Sequence, residues 1–341
     1  MVDQVVLSDS NRTPVVQILT WLSLVISVLA FLTHASIKLY IFRRLKIESW
    51  LVLCSLILCI AQSIAVTLQC QHGFGKPMST LRNEDVQANL KSDYAATILF
   101  FWSLGCSKLA IVSFIHYLTV SETHRKINFG VGALAATWTL CSSIVAACQC
   151  RLPDPWNRAR GHCIDRIFWW NVLSILNMTT DAAIVLLELG ITAKLQTTRR
   201  RKAGIMSLFA CRLVVVVAAA IQLMIFRKES SNATLKDDLT LGYWRSTICN
   251  QIVQCLAVLT TSLPYTKLFL EGFDTGFLGV NDLRRQGLHT SRNKSREYHL
   301  MEVSRSTPGQ AINASKSWAI GTASAEAQSP KEHRISVVEP L

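Results

Sequence analysis

Charge is what this sequence is short of. Only 17% of its 341 residues are charged, against about 25% in an ordinary soluble domain. The deficit is uneven: long stretches carry almost no charge, and the charged residues collect between them and toward the C-terminus. The first residues, MVDQVVLSDSNRTPVV, have neither a basic n-region nor a small-residue cleavage site, so no removable signal peptide is expected and the first apolar run acts as its own insertion signal. No CxxC pair or His-rich spacing suggests a metal. No period-two alternation suggests a transmembrane barrel. The net charge of +13 is compatible with nucleic-acid binding, but the Lys and Arg residues lie in short clusters at the ends of apolar segments, where membrane topology puts them. Nucleic acid is therefore excluded as a partner.

What is present in place of charge is hydrocarbon. Hydrophobic residues make up 50% of the chain. Apolar runs of about 20 residues, enough to cross a bilayer, fall at 15–40, 50–69, 95–118, 128–149, 167–193, 204–226 and 248–270. These predict an all-α fold, a polytopic bundle of seven membrane-spanning helices, because only helices satisfy their own backbone within lipid. Three inter-span loops are short and densely basic: the first with Arg43, Arg44 and Lys46, the third with Arg125 and Lys126, the fifth with Lys194, Arg199, Arg200, Arg201 and Lys202. The positive-inside rule assigns them to the cytosol, with the N-terminus outside. Residues 1–14 then form an extracellular N-terminus, 15–280 the membrane domain, and 281–341 a disordered cytosolic tail rich in Ser, Thr and charge. The expected location is a multi-pass protein of the plasma membrane or an endomembrane, with the bilayer as its first partner.

Two outward features agree. Asn11 and Asn232 begin glycosylation sequons that fall outside. Cys150 and Cys163 flank a short outer loop, in an oxidising compartment where disulfides persist. Closing that loop is worth roughly 3 kcal/mol in the chain-entropy model. Cys70 and Cys148 lie near the same face, and spacing does not choose among the pairings.

Four ionisable residues sit inside the spans: Lys108, Asp181, Glu188 and Arg212. Such groups are costly in lipid, so they face the bundle interior and find partners. Asp181 and Glu188 are two turns apart on one helix, which returns them to nearly one face. Depth along each span suggests Lys108 with Asp181 near mid-membrane, and Arg212 with Glu188 nearer the cytosol. The same four residues suit a lock between helices, a ligand or proton site, or, for Glu188 and Arg212, side chains reaching an interface. The Trp residues at the outer ends, 102, 169, 170 and 244, read as interfacial anchors or as the lining of an outer pocket. Two familiar functions fail on position. A retinal protein needs a lysine near the middle of the seventh span, and Lys267 falls after Pro264 near its cytosolic end. The receptor triplet Asp-Arg-Tyr and the Asn-Pro-x-x-Tyr motif are replaced by HYLTVSETHRK and LPYTKLF. No cofactor is expected.

Five segments in order carry a family likeness: HGFGKP (72–77), LGCSKLAIVSFIHYL (104–118), CRLPDPWNRARGHC (150–163), FWWNVLSILNMTTDAAIVLLELGITAKLQTTRRRK (168–202) and SLPYTKLFLEGFDTGFLG (262–279). With these, the chain over roughly 15–280 resembles the fungal rhodopsin-domain integral membrane proteins, which include receptor-like proteins of pathogenic fungi and the satratoxin-cluster membrane-protein family. The resemblance implies a seven-helix fold and marks Lys108, Asn177 and Asp181 as family-like positions. It departs at Glu48-Ser49-Trp50, where the family often has Asp-Asp-Trp, and at Glu188 and Gly190, where prolines are common. Two functions follow as expectations. One is a receptor-like protein sensing a small ligand in an outer-facing cavity floored by Lys108 and Asp181, with a cytosolic signalling partner at 194–202 and the tail. The other is an accessory protein or enzyme of a secondary-metabolite cluster, with Asp181 or Glu188 as a general acid. The carboxylate pair or metal such chemistry needs is missing, which favours the non-enzymatic reading. A transporter would show internal repeats and broken helices, and neither is visible.

Overall fold

The computed structural model describes residues 11–39, 46–119, 121–151, 153–157, 163–194, 199–231, 238 and 240–264, with side chains undescribed at 118, 192–194 and 199–210. Arg43, Arg44, Asn232, Lys267, the Phe-Asp-Thr-Gly turn and the tail from 281, with its expected disorder, lie outside this set, as do the side chains of the basic 194–202 segment. Among the described residues seven α-helices are present: α1 Thr13–Ile37, α2 Ile47–Gln71, α3 Asn83–Leu118, α4 Glu122–Ala147, α5 Arg166–Lys194, α6 Arg199–Ser231 and α7 over 244–264. The first five are long and apolar enough to cross a membrane.

The surface is inverted relative to a soluble bundle. On α1 the exposed stripe is Ile18, Leu22, Val25, Leu29 and Leu32, while Thr20, Ser23, Ser27 and His34 are buried. On α6 Leu213, Val217, Ile221 and Met224 are exposed and Arg212 and Gln222 are buried. In water such apolar stripes are aggregation sites. In lipid they cost nothing, and the polar side chains find partners inside. A bilayer is the solvent this fold is built for.

α3 is the central helix, with 72% of its most apolar window buried against 33% for α1 and α4. Small and hydroxylated residues let its neighbours approach. Ser55 and Ser103 donate to each other's carbonyls at 2.9 Å, tying α2 to α3. Ser107 donates to the Ala257 carbonyl (3.0 Å) and meets Thr261 (2.8 Å), tying α3 to α7. A Cβ on Gly105 would fall 2.3 Å from Thr139 Oγ1, so glycine permits a close α3–α4 approach there.

The outer ends depart from expectation. Residues 70–94 read as a loop, yet α3 begins at Asn83 and, at 1.5 Å per residue over 36 residues, runs about 54 Å, well past the hydrocarbon core. Glu84 and Asp85 in its first turn complement the helix dipole, and Val86, Asn89 and Leu90 are buried on one face. The loop before it holds Gly73 (φ 83°) and Gly75 (φ 91°), a left-handed backbone that favours glycine. A Cβ on Gly75 would also sit 2.7 Å from the Thr13 nitrogen. There the start of α1, the α2–α3 loop and the α6–α7 loop are stitched together. Arg12 N–H donates to Gly75 O (2.9 Å), Gly75 N–H to Thr240 O (3.0 Å), the Thr13 hydroxyl to Phe74 O (2.6 Å) and the Thr240 hydroxyl to Lys76 O (2.7 Å). Asn11 of the first sequon is half-buried beside this junction.

Candidate functional site

Asp165 opens α5 by accepting the Ile167 and Phe168 N–H groups at 3.0 and 3.3 Å, a side-chain cap of the usual kind. Just before it a disulfide joins Cys150 to Cys163, with Ile164 N–H donating to Gln149 O at 2.9 Å. Cys70 and Cys148 are free thiols. Trp156, between the bridged cysteines, meets the outer extension of α3, where Lys91 Nζ is 5.0 Å from its ring centre.

From that start α5 carries Asn177, Thr180, Asp181 and Glu188, all at most 5% exposed. Lys108 is 1% exposed and spends its ammonium on three acceptors: Asn177 O at 2.9 Å, Thr180 Oγ1 at 2.7 Å and Asp181 Oδ2 at 2.8 Å. Its Nζ also lies 5.0 Å over Trp138. Lysine has three protons to donate, so this cation is saturated. Arg212 Nη2 donates to the other oxygen, Asp181 Oδ1, at 2.9 Å.

This widens the expected pairing. Arg212 hydrogen-bonds Asp181 while also lying in electrostatic reach of Glu188, so one carboxylate bridges α3 and α6. The cause is the start of α6. It begins at Arg199 rather than at the apolar run's edge, which puts Arg212 thirteen residues from its inner end. Asp181 is likewise thirteen residues from the inner end of α5 at Lys194. Both lie about 20 Å in. Glu188 remains in electrostatic reach of Arg212 and Asp181, so two cations face two carboxylates in one buried region. Arg212 Nε and Nη1 and the Asn177 Oδ1 have no protein partner. A buried water or a small polar ligand would satisfy such groups.

Above this triad stands a column of rings. Trp138 meets Phe101 (5.9 Å between centres), Phe101 meets Trp170 (5.7 Å), Trp170 meets Phe226 (5.5 Å) and Phe226 meets Tyr243 (5.9 Å). Trp138 is held by its indole N–H donating to Leu173 O at 3.0 Å. At the outer end the Arg166 guanidinium lies 4.8 Å from the Tyr243 ring centre, 5.8 Å from Phe226 and 5.9 Å from Trp170. This three-sided cage borders a polar recess of about 20 Å³ that includes Asn89, Asp93, Thr247 and Asn250. A second recess of about 40 Å³ lies against the disulfide and Trp169. Each has room for one or a few waters. Neither is floored by Lys108 or Asp181, which lie beneath the ring column. Of the four outer tryptophans, Trp170 is core, Trp102 and Trp169 are about two-fifths exposed, and Trp244 stacks under Arg12 and Arg245.

The sequence reading missed Arg166 and a second buried ion pair, Lys38 with Glu48 at 2.6 Å. Lys38 falls at the end of the first apolar run and Glu48 opens the second. An acid and a base facing across one short inner loop were the available signal.

A bundle of apolar helices, lipid-facing outside and ion-paired within, defines a multi-pass integral membrane protein. The fungal rhodopsin domain family matches residues 33–272, and the chain belongs to that family. It is also similar to a SAT4 family membrane protein of Emericella nidulans (strain FGSC A4), 25% identical over 199 residues, which are 56% of this chain and 50% of the relative. The chain thus spans about half the length of that curated relative. No solved structure matches it.

Proposed function

We propose that the protein is receptor-like: it senses a small ligand at the outer end of the bundle and answers at the cytosolic face, through the basic 194–202 segment and the tail. The observation that carries this is the Arg166 cage. A guanidinium among three rings is a cation–π arrangement that strengthens as water is excluded. Here the protein's own side chain fills it, so the recess is small because it is occupied. A ligand that pairs with Arg166, or displaces it, moves Trp170, and Trp170 is two ring contacts from Trp138 above Lys108. Packed side chains of this kind can bias a two-state element. The Lys108–Asp181–Arg212 triad is the fixed base against which such a shift acts, and its unsatisfied Arg212 and Asn177 atoms provide a second polar point.

Deletion of the gene, followed by complementation, tests this. Wild type is expected to restore the response to external small molecules and surfaces. Thr247→Trp, which fills the recess, is expected to insert normally yet fail to restore it. An altered secondary-metabolite profile with normal sensing would instead favour the pathway role.

A further inference from the structure

A larger cavity lies elsewhere, away from both the cage and the triad. It is a groove of about 380 Å³ between the inner halves of α3 and α4, with Ile47 of α2 at its inner end. Ligand sites run roughly 300–1,000 Å³, so this groove is ligand-sized where the outer recesses are not. One wall is the α3 stripe Leu109, Val112, Ser113, His116 and Tyr117; the other is Asn128, Phe129, Gly132, Ala133 and Ala136 of α4. Both follow helical spacing. Small residues make the α4 wall shallow. Phe129 is 76% and Tyr117 53% exposed, so the groove opens sideways to lipid.

Its inner rim is cationic. Lys46 Nζ lies 4.4 Å over the Tyr117 ring. Arg125, exposed, is one turn below Phe129 on the same stripe. Lys126 and His124 add to the field, against Glu122 in the same first turn. Inside the groove Asn128 is 1% exposed. Its amide donates to Val112 O at 3.0 Å, and its Oδ1 has no donor.

We propose that this groove binds one anionic phospholipid of the inner leaflet whose headgroup carries a hydrogen-bond donor, as serine or inositol headgroups do. The phosphate meets Lys46 and Arg125, a headgroup N–H or O–H meets Asn128 Oδ1, and an acyl chain lies along Gly132, Ala133 and Ala136. Basic pockets between helices on the cytosolic side recognise headgroups by this chemistry. A choline headgroup has no donor for Asn128, and a sterol has no charge for the rim.

Native mass spectrometry of the full chain, delipidated in detergent and titrated with dioleoyl phosphatidylserine, dioleoyl phosphatidylcholine or ergosterol, tests it. Retention of one phosphatidylserine at roughly tenfold lower concentration than phosphatidylcholine is expected, from two surface cations at a few-fold each. Lys46→Gln with Arg125→Gln, both on exposed side chains, is expected to abolish the preference. Ala136→Leu, which fills the groove, is expected to lower retention of either phospholipid. Equal retention of the two phospholipids, preferred retention of ergosterol, or an unchanged preference in the double variant would overturn the proposal. The comparison of lipids on the wild-type chain stands even if a variant fails to fold.

Discussion

Two buried ion clusters divide the molecule, and they are built differently. At mid-membrane Asp181 serves two cations from two other helices, with Lys108 further bonded to Thr180 and to the Asn177 carbonyl. At the inner end Lys38 donates to Glu48 at 2.6 Å, linking helices already adjacent in the chain. Both are almost wholly buried. The difference lies in what remains when one member is removed. Lys38 sits at a helix terminus, within reach of the interface by snorkelling. Lys108 and Arg212 have no such exit. A charge with no route to water must be matched within the bundle, and Asp181 is where the match is made.

Asp181→Asn is the sharpest way to break this contrast. It leaves two cations without their shared carboxylate, and removal of one partner from a buried pair costs about 3–5 kcal/mol. A thermal unfolding series in detergent reads it directly. Opening the Cys150–Cys163 bridge comes next: Cys163→Ser is expected to cost roughly 3 kcal/mol, seen as a lower unfolding midpoint that reductant also produces in wild type. Glu48→Gln is expected to cost less, about 1–3 kcal/mol, because Lys38 can turn toward the headgroups. If Glu48→Gln proves as damaging as Asp181→Asn, the contrast between the clusters fails. The smallest effect is Thr180→Val, which deletes one acceptor of Lys108 and leaves the other two, at about 1.5 kcal/mol. Double-mutant coupling refines the same point. Lys108→Gln combined with Asp181→Asn is expected to lose less than the sum of the two, and strict additivity would deny the pair.

Most of the fold was legible because lipid imposes a simple rule: runs of about 20 apolar residues cross. Lys108 and Asp181 were legible as partners because both lie near the middle of helices whose ends the apolar runs mark well. Arg212 was not. The basic residues 199–202 belong to α6, and an apolar-run boundary leaves them out, which displaced Arg212 by more than a turn. The outer extension of α3 was hidden for the opposite reason. Its polar residues read as loop, although Val86 and Leu90 have helical spacing and are buried. Arg166 falls just before the fifth apolar run, with nothing in the sequence to single it out. Only the packing of α5, α6 and α7 brings Trp170, Phe226 and Tyr243 around it, and those residues are far apart in the chain. The paired glycines of HGFGKP were visible as a family element, and the structure supplies their reason in two left-handed residues, Gly73 against Leu81 and Gly75 against the start of α1.

The central claim is that the recess beside the Arg166 cage faces the outside and that the triad beneath it is sealed. Single cysteines report both in one measurement: modification of Thr247→Cys and Thr180→Cys in intact cells by a membrane-impermeant thiosulfonate, each read as the increase over the parent protein. The account predicts that Thr247→Cys is modified without permeabilisation and that Thr180→Cys is not. Modification of Thr247→Cys only after the cells are opened, or equal modification of Thr180→Cys from outside, would contradict it.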